Sequence, residues 1–251
     1  EATSAGYVRY DWETTIGGYG FVGNAGLRAF RTELTSSGTA NIGPITARAS
    51  YDDVLPAVNG TLKLRNNLLL RGAYSQNINR PSLWAMAVNG SVSNNSGELR
   101  VSAGNPNLQP YYSDNFDLSL EWYFGEVGYV AVGAFHKDIS NFIGNLTSRN
   151  VPYSVTGLPL DLFEGLTPTT NVAEYSRPIN YESTSIQGVE FTVQSDLAFL
   201  PAPFDKLGFI GNISLVDGEL DYASPADQAA GISIVRPITG MSDVLGNATL
   251  Y

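Results

Sequence analysis

The stretch Arg80–Phe124 reads RPSLWAMAVNGSVSNNSGELRVSAGNPNLQPYYSDNFDLSLEWYF. From Asn115 onward it alternates without a break. Phe116, Leu118, Leu120, Trp122 and Phe124 fall on one face, and Asn115, Asp117, Ser119, Glu121 and Tyr123 on the other. A period of two held over about ten residues is a strand with one apolar and one polar side. A long Gly- and Asn-rich connection precedes it, and Gly125-Glu126 turns the chain directly after it. A long loop, a strand of about ten residues and a tight turn make the repeating unit of a transmembrane β-barrel.

The same unit recurs along the chain. Val8, Tyr10 and Trp12 alternate with Tyr7, Arg9 and Asp11, and a turn at Gly17-Gly18 leads into Phe21, Gly23, Ala25, Leu27 and Ala29. After Leu34 the period is lost through TSSGTANIGP, which reads as a loop. Val58–Leu64 and Leu68–Tyr74 form a hairpin around Asn66-Asn67, by their period and their Asn-rich turn. Tyr129–Ile143 has mixed faces and no clear phase, and residues 144–181, with Pro152, Pro159, Pro168 and Pro178, read as a structureless connection. Val189–Val193 and Leu207–Leu215 flank a turn with Pro201 and Pro203. A last long connection, about 217–242, leads into Leu245–Tyr251. Connections that alternate short and long belong to an up-and-down barrel with turns on one side of a membrane and loops on the other. The expectation is an all-β, antiparallel up-and-down transmembrane β-barrel, present as a fragment of about nine strands.

Composition agrees. The charged fraction is 15%, the aromatic fraction 11%, with 14 Tyr and 26 Gly, and apolar residues make up 43%. Ordinary soluble domains carry roughly 25% charged residues. No apolar run approaches the ~20 residues of a transmembrane helix. A secreted carbohydrate-binding β-sandwich fits this composition nearly as well. The formal net charge of −10 argues against a nucleic-acid partner, since phosphate binding needs a basic surface. With no Cys and a single His, His136, neither a thiolate nor a His-based metal centre can be built, and no cofactor is called for.

Catalysis is the weaker reading of the acids. Asp52-Asp53, or Asp11 with Glu13, would have to flank one glycosidic bond to act as a hydrolase pair. Adjacent acids on a strand point to opposite faces. His136-Lys137-Asp138 reads as a strand end near a barrel rim. Arg28, Lys63, Arg71, Glu190 and Gln194 lie on polar strand faces, hence toward the lumen, where hydrogen bonding within a wet interior is the expected role. In the loops, Trp84, Asn89, Asn94, Asn95, Tyr111 and Tyr112, with Tyr153, Tyr175 and Arg177 beyond, are candidates to stack on a sugar ring and hydrogen-bond its hydroxyls. Tyr7, Tyr10, Trp12, Trp122, Tyr123 and Tyr129 lie near short turns, where lipid-facing aromatics form a girdle.

Several motifs carry a family resemblance. YDDVLPAVN (Tyr51–Asn59), SQNINRPS (Ser75–Ser82), GNPNLQP (Gly104–Pro110), the strand ending in EWYF, FHKDISNFI (Phe135–Ile143) and QGVEF (Gln187–Phe191) come in this order. In order and spacing the chain resembles TonB-dependent outer-membrane receptors over almost its whole length. It is most similar to a large subfamily often associated with carbohydrate uptake; siderophore receptors share much of the pattern. The resemblance implies a 22-stranded barrel in the outer membrane, plugged by a globular domain on which the TonB complex pulls. Residues 1–251 would then be a partial barrel domain, carrying wall and loops, with plug and C-terminal strands outside them; this segment alone is not expected to transport. The implied partners are the lipid bilayer, the plug, the TonB complex through it, and a small-molecule or oligosaccharide ligand, with a siderophore or cobalamin ranked lower. A passive porin is the remaining alternative.

Overall fold

The computed structural model describes residues 2–40, 43–95, 97–181, 183–223 and 230–251. Its strands are β1 (Ala2–Ile16), β2 (Tyr19–Ala40), β3 (Gly43–Arg65), β4 (Leu68–Asn79), β5 (Gly90–Asn95), β6 (Glu98–Ala103), β7 (Tyr111–Phe124), β8 (Gly128–Ser140), β9 (Ile143–Pro152), β10 (Asn171–Asn180), β11 (Thr184–Asp196), β12 (Gly208–Asp221), β13 (Val235–Pro237) and β14 (Val244–Leu250). They form two sheets. The larger has ten strands in the order β1-β2-β3-β4-β7-β8-β11-β12-β13, with β14 also on β12. The smaller has four, in the order β5-β6-β10-β9.

The large sheet is antiparallel throughout and forms an open wall. Its register keeps one apolar face continuous across the strands. Val8 lies opposite Leu27, Leu27 opposite Pro56, and Ala25 opposite Val58. Val58 lies opposite Tyr74, Tyr74 opposite Phe116, and Leu70 opposite Leu120. Leu120 lies opposite Val132, Val132 opposite Phe191, Phe191 opposite Ile213, and Ile213 opposite Gly246. Because the side-chain period is two, a slip of one residue anywhere would break this belt.

The belt does not bury itself against anything. Phe116, Leu118, Leu120 and Trp122 are 47%, 56%, 44% and 48% exposed, while Asn115 and Glu121 on the opposite face are 7% and 8% exposed. A soluble sandwich would show the reverse. Above the belt the same outward face turns polar, with Arg31, Glu33, Asp52, Gln76, Asp114, Asp138 and Asp217 on successive strands. On β7 the span from Phe116 to Phe124 is about 27 Å of strand, which stands about 20 Å tall at a barrel tilt, close to the ~25 Å apolar band of outer-membrane barrels.

Small residues on the apolar face make room for rings. The Trp12 ring lies over Gly23, where a Cβ would come within 2.7 Å of it, and Phe21 lies over Gly60 with 2.9 Å available. The short turns are at Gly17-Gly18, Asn66-Asn67 and 125–127; positive φ at Gly17, Gly18 and Gly125 suits glycine.

Four expectations from the sequence are corrected by the fold. TSSGTANIGP is not a loop: β2 and β3 stay paired to Ala40↔Gly43, with residues 41–42 outside the described set. The alternation vanishes there because above the belt both faces are free to be polar, while backbone pairing continues. Residues 144–181 are not structureless: they hold β9, β10 and two 3₁₀ turns, Tyr153–Thr156 and Leu160–Leu162. The connection after Arg80 likewise contains the β5–β6 hairpin. The phase of 129–143 is now defined, with Val130, Val132, Ala134 and His136 on the apolar side of β8. It was obscured because the polar face there carries Ala131, Gly133 and Phe135.

Candidate functional site

Two surfaces are organised enough to have a function: the polar face of the wall, and the group of long connections at one end of it. On the wall, Arg71 and Glu121 form the best-defined cluster. Arg71 lies on β4 and Glu121 on β7, both on the polar side. Arg71 Nε donates to Glu121 Oε1 at 2.8 Å and Oε2 at 2.9 Å, and another guanidinium nitrogen donates to Thr61 Oγ1 at 3.0 Å. Tyr123 Oη donates to Glu121 Oε2 at 2.8 Å and Ser119 Oγ to Oε1 at 3.2 Å. Glu121 is therefore a charge desolvated among its own donors, which only such pairing makes tolerable.

The other polar-face candidates are less engaged. Lys63 approaches Glu13 at 4.0 Å. Ser214 Oγ donates to Glu190 at 3.4 Å. Arg28 pairs across from Tyr7 and Leu55, and Gln194 from Tyr129 and Ile210. All five named residues lie on the polar face; Glu121, which the sequence placed there without singling it out, is the centre of its strongest network. Tyr7, Tyr123 and Tyr129 also lie on this face, leaving Tyr10, Trp12 and Trp122 on the apolar side, where Tyr10 and Trp12 pair at 6.1 Å and Trp122 stacks with Phe124 at 4.7 Å.

The long connections pack on one another at the far end. Leu34 of β2 meets Met86 and Leu108 in a buried cluster, so the segment after Arg80 folds onto the polar side of the long β2–β3 hairpin. The Arg80 guanidinium lies 5.5 Å from the centre of the Phe30 ring. GNPNLQP then ties this segment to β10. Asn105 N donates to Ala85 O at 2.7 Å, Asn105 Nδ2 to Pro178 O at 3.0 Å, and Gln109 N to Asn180 Oδ1 at 2.9 Å. Asn180 Nδ2 in turn donates to Gln109 O and Asn141 O, each at 2.9 Å. The motif acts as a splice between two connections distant in sequence.

The small sheet has its own core of Leu99, Val101, Tyr153, Val172 and Tyr175. Tyr153 is 1% exposed, donates its hydroxyl to Pro159 O at 2.8 Å, and has its phenol pushed up by burial. Tyr175 is also buried and donates to Thr156 O at 3.4 Å. Neither ring has an open face on which a ligand can stack. Arg177 is exposed, its guanidinium 5.8 Å from the Tyr175 ring. Asn94 accepts Gly97 N at 3.0 Å in the β5–β6 turn, and Asn95 and Asn89 are exposed nearby in the chain. Tyr111, hydrogen-bonded by Asn79 Nδ2, and Tyr112, beside Asp53, are half-buried at the head of β7. Trp84, 71% exposed beside exposed Leu83, presents the largest open aromatic surface among the nine loop candidates.

Nothing in this arrangement forms a hydrolase pair. Asp11 is held by Arg9 at 2.5 Å, and His136 meets Asp138 at 3.0 Å on the outward face near the upper border of the belt. Among the described residues no group of three or more His, Cys, Asp or Glu is placed to hold a metal ion.

An exposed apolar belt, a polar reverse face and packed long connections at one end together describe a membrane barrel wall. The family model described as TonB dependent receptor-like, beta-barrel matches residues 1–248. The chain belongs to the TonB-dependent receptor β-barrel family. As a barrel of this family it is an outer-membrane protein. In a barrel of this family the apolar belt is the face turned to lipid. Solved structures of such receptors share the fold. A double mutant of the Serratia marcescens hemophore receptor HasR, in complex with its hemophore HasA and heme, superposes with a TM-score of 0.55 at 16% identity, over 99% of this chain and 41% of that one. A mutant of the ferric enterobactin receptor from Pseudomonas aeruginosa, in complex with enterobactin, gives 0.54 at 14%, over 99% and 39%. The receptor segment thus spans about two fifths of the length of these chains. None of the curated proteins compared matches it.

Proposed function

We propose that this segment is the wall and extracellular mouth of a receptor for active uptake of a scarce ligand, working with a plug in the lumen and with the TonB complex acting on that plug. The ligand we favour is a neutral oligosaccharide. The observation that carries this reading is the chemistry of the mouth. It offers an exposed indole, Trp84, in a segment that also supplies the exposed amides Asn89, Asn94 and Asn95. A flat apolar ring face with nearby amides suits a sugar, which has one apolar face and a rim of hydroxyls.

An anionic iron chelate would need free cations. In the small sheet Arg100 pairs with Glu174 at 2.9 Å and Arg149 approaches the same carboxylate at 3.7 Å, while exposed Arg177 lies against the Tyr175 ring. The connections 80–110 and 141–181 together carry four Arg and four Asp or Glu, so they offer an anion no excess of positive charge. Haem, siderophore and cobalamin are therefore ranked below the oligosaccharide.

Growth and uptake assays of a receptor-deletion strain, on candidate oligosaccharides and on ferric chelates, test this. The reading expects loss of uptake of one oligosaccharide, restored by the full-length gene. In the purified full-length receptor, Trp84→Ala is expected to weaken binding of that sugar about tenfold, the equivalent of ~1.4 kcal/mol. A deletion phenotype confined to iron chelates contradicts the oligosaccharide reading.

A further inference from the structure

The connection between β11 and β12 differs in kind from the other short turns. Those at Gly17-Gly18, Asn66-Asn67 and 125–127 hold mostly Gly, Asn and Glu. This one reads LAFLPAPF from Leu197 to Phe204, without a charged residue. Its backbone is fixed. Leu197 N bonds Leu207 O at 2.9 Å, Leu200 N bonds Leu197 O at 2.8 Å, Phe204 N bonds Pro201 O at 3.1 Å, and Leu207 N bonds Phe204 O at 3.2 Å. On this frame Phe199 is 77% and Phe204 55% exposed. Two phenylalanine rings held open to water are costly, by the usual relation between apolar area and free energy.

We propose that this turn dips into the headgroup region of the periplasmic leaflet, with Phe199 and Phe204 in contact with phospholipid. The turn lies at the end of the wall where the chain makes its tight turns, and it continues the lipid face. Outward residues Val193 and Gly211, then Ser195 and Phe209, lead down β11 and β12 to it. Leu250 lies opposite Phe209, and Leu250 and Tyr251 are 61% and 57% exposed at the same end. Gly208 N donates to Tyr251 O at 2.7 Å, which ties that end together. The interfacial region accepts aromatic rings that water rejects and neighbouring polar groups that hydrocarbon rejects. Lys206, exposed two residues after Phe204, returns the chain to polar surroundings.

The 251 residues contain no Cys, which makes labelling direct once any Cys elsewhere in the full-length receptor is replaced. Phe199→Cys and, separately, Phe204→Cys would carry a nitrobenzoxadiazole fluorophore in the full-length receptor. The protein would sit in phosphatidylethanolamine/phosphatidylglycerol vesicles. Glu126→Cys, in the exposed turn between β7 and β8, is the reference. The proposal expects the label at 199 and 204 to emit to the blue of that at 126. It expects several-fold stronger quenching by a shallow doxyl lipid and several-fold weaker quenching by iodide. Two results would overturn it: iodide quenching equal to that at 126, or protection from both quenchers, which would place a protein partner on the turn. Using two labelling positions keeps the test valid if one variant does not fold.

Discussion

The wall and the mouth of this receptor segment are held together in opposite ways. Across the wall, from β1 to β12, each strand pairs antiparallel with the next wall strand along the chain, and the large side chains point away from the protein into lipid. In the mouth, partners come from far apart: β6 pairs in parallel with β10, and Asn180 closes on Gln109. There the large side chains point inward, as Tyr153, Val172 and Tyr175 do. In lipid every backbone group of the wall must be bonded within the sheet, which fixes strands and register. Above the membrane water can serve the backbone, so the connections fold only where they bury apolar area. The wall is thus stabilised by backbone pairing and by its solvent, and the mouth by a small conventional core.

Mutations separate the two. The largest effect is expected for Tyr153→Ala, which removes a fully buried ring and should cost about 3–5 kcal/mol of local stability. Hydrogen exchange should then lose protection in β5, β6, β9 and β10 while the wall strands keep theirs. Loss of protection in β7 and β8 as well would show that the two regions fold as one unit. Leu120→Arg, at the middle of the lipid belt, should cost about 2–4 kcal/mol, read from urea titration of the full-length receptor folded into vesicles. The mouth should be unaffected by it. Asn180→Ala removes two hydrogen bonds between the connections, both to Gln109, and one to Asn141 within its own connection. At roughly 1 kcal/mol per net bond, it should loosen the Gln109 end of the 80–110 segment without changing the wall, seen as faster exchange at Leu108 and Gln109. The smallest effect is expected for an exposed contact on the polar face. Lys63→Ala, which loses a contact of 4.0 Å between exposed groups, should change stability by less than about 1 kcal/mol. Arg71→Ala should exceed it, at about 1.5–3 kcal/mol, because it removes the charged donor from buried Glu121 and leaves only Tyr123 and Ser119 to bond it.

This contrast also governs what the sequence reveals. The wall is legible because a strand between lipid and lumen must alternate, and β7 does so from Asn115 to Phe124. Where the lumenal face carries small or apolar residues, as at Ala131, Gly133 and Phe135, the phase blurs although the strand persists. Beyond the belt the alternation has no cause, so Thr35–Ala40 reads as loop while it pairs as strand. In the mouth the signal is non-local. Val101 and Tyr175 are neighbours across a parallel pair, and nothing near either in sequence says so. Tyr153 and Tyr175 looked like ligand platforms because tyrosines in loops often are, whereas here they form the core that makes the loop a domain-like cap. Trp84 keeps its open face because Met86, two residues on, buries itself with Leu34 and Leu108 instead. Glu121 was visible as a polar-face residue, but its importance depends on Arg71 from another strand.

The central claim is that one face of the wall meets lipid along its whole length. A nitroxide scan of β7 from Asn115 to Phe124, in the full-length receptor in vesicles, tests it directly. The account predicts collision with oxygen, rather than with a water-soluble nickel chelate, at Phe116, Leu118, Leu120, Trp122 and Phe124, and the opposite preference or low access to both at the residues between. A profile without that alternation, or with its phase inverted, would contradict it.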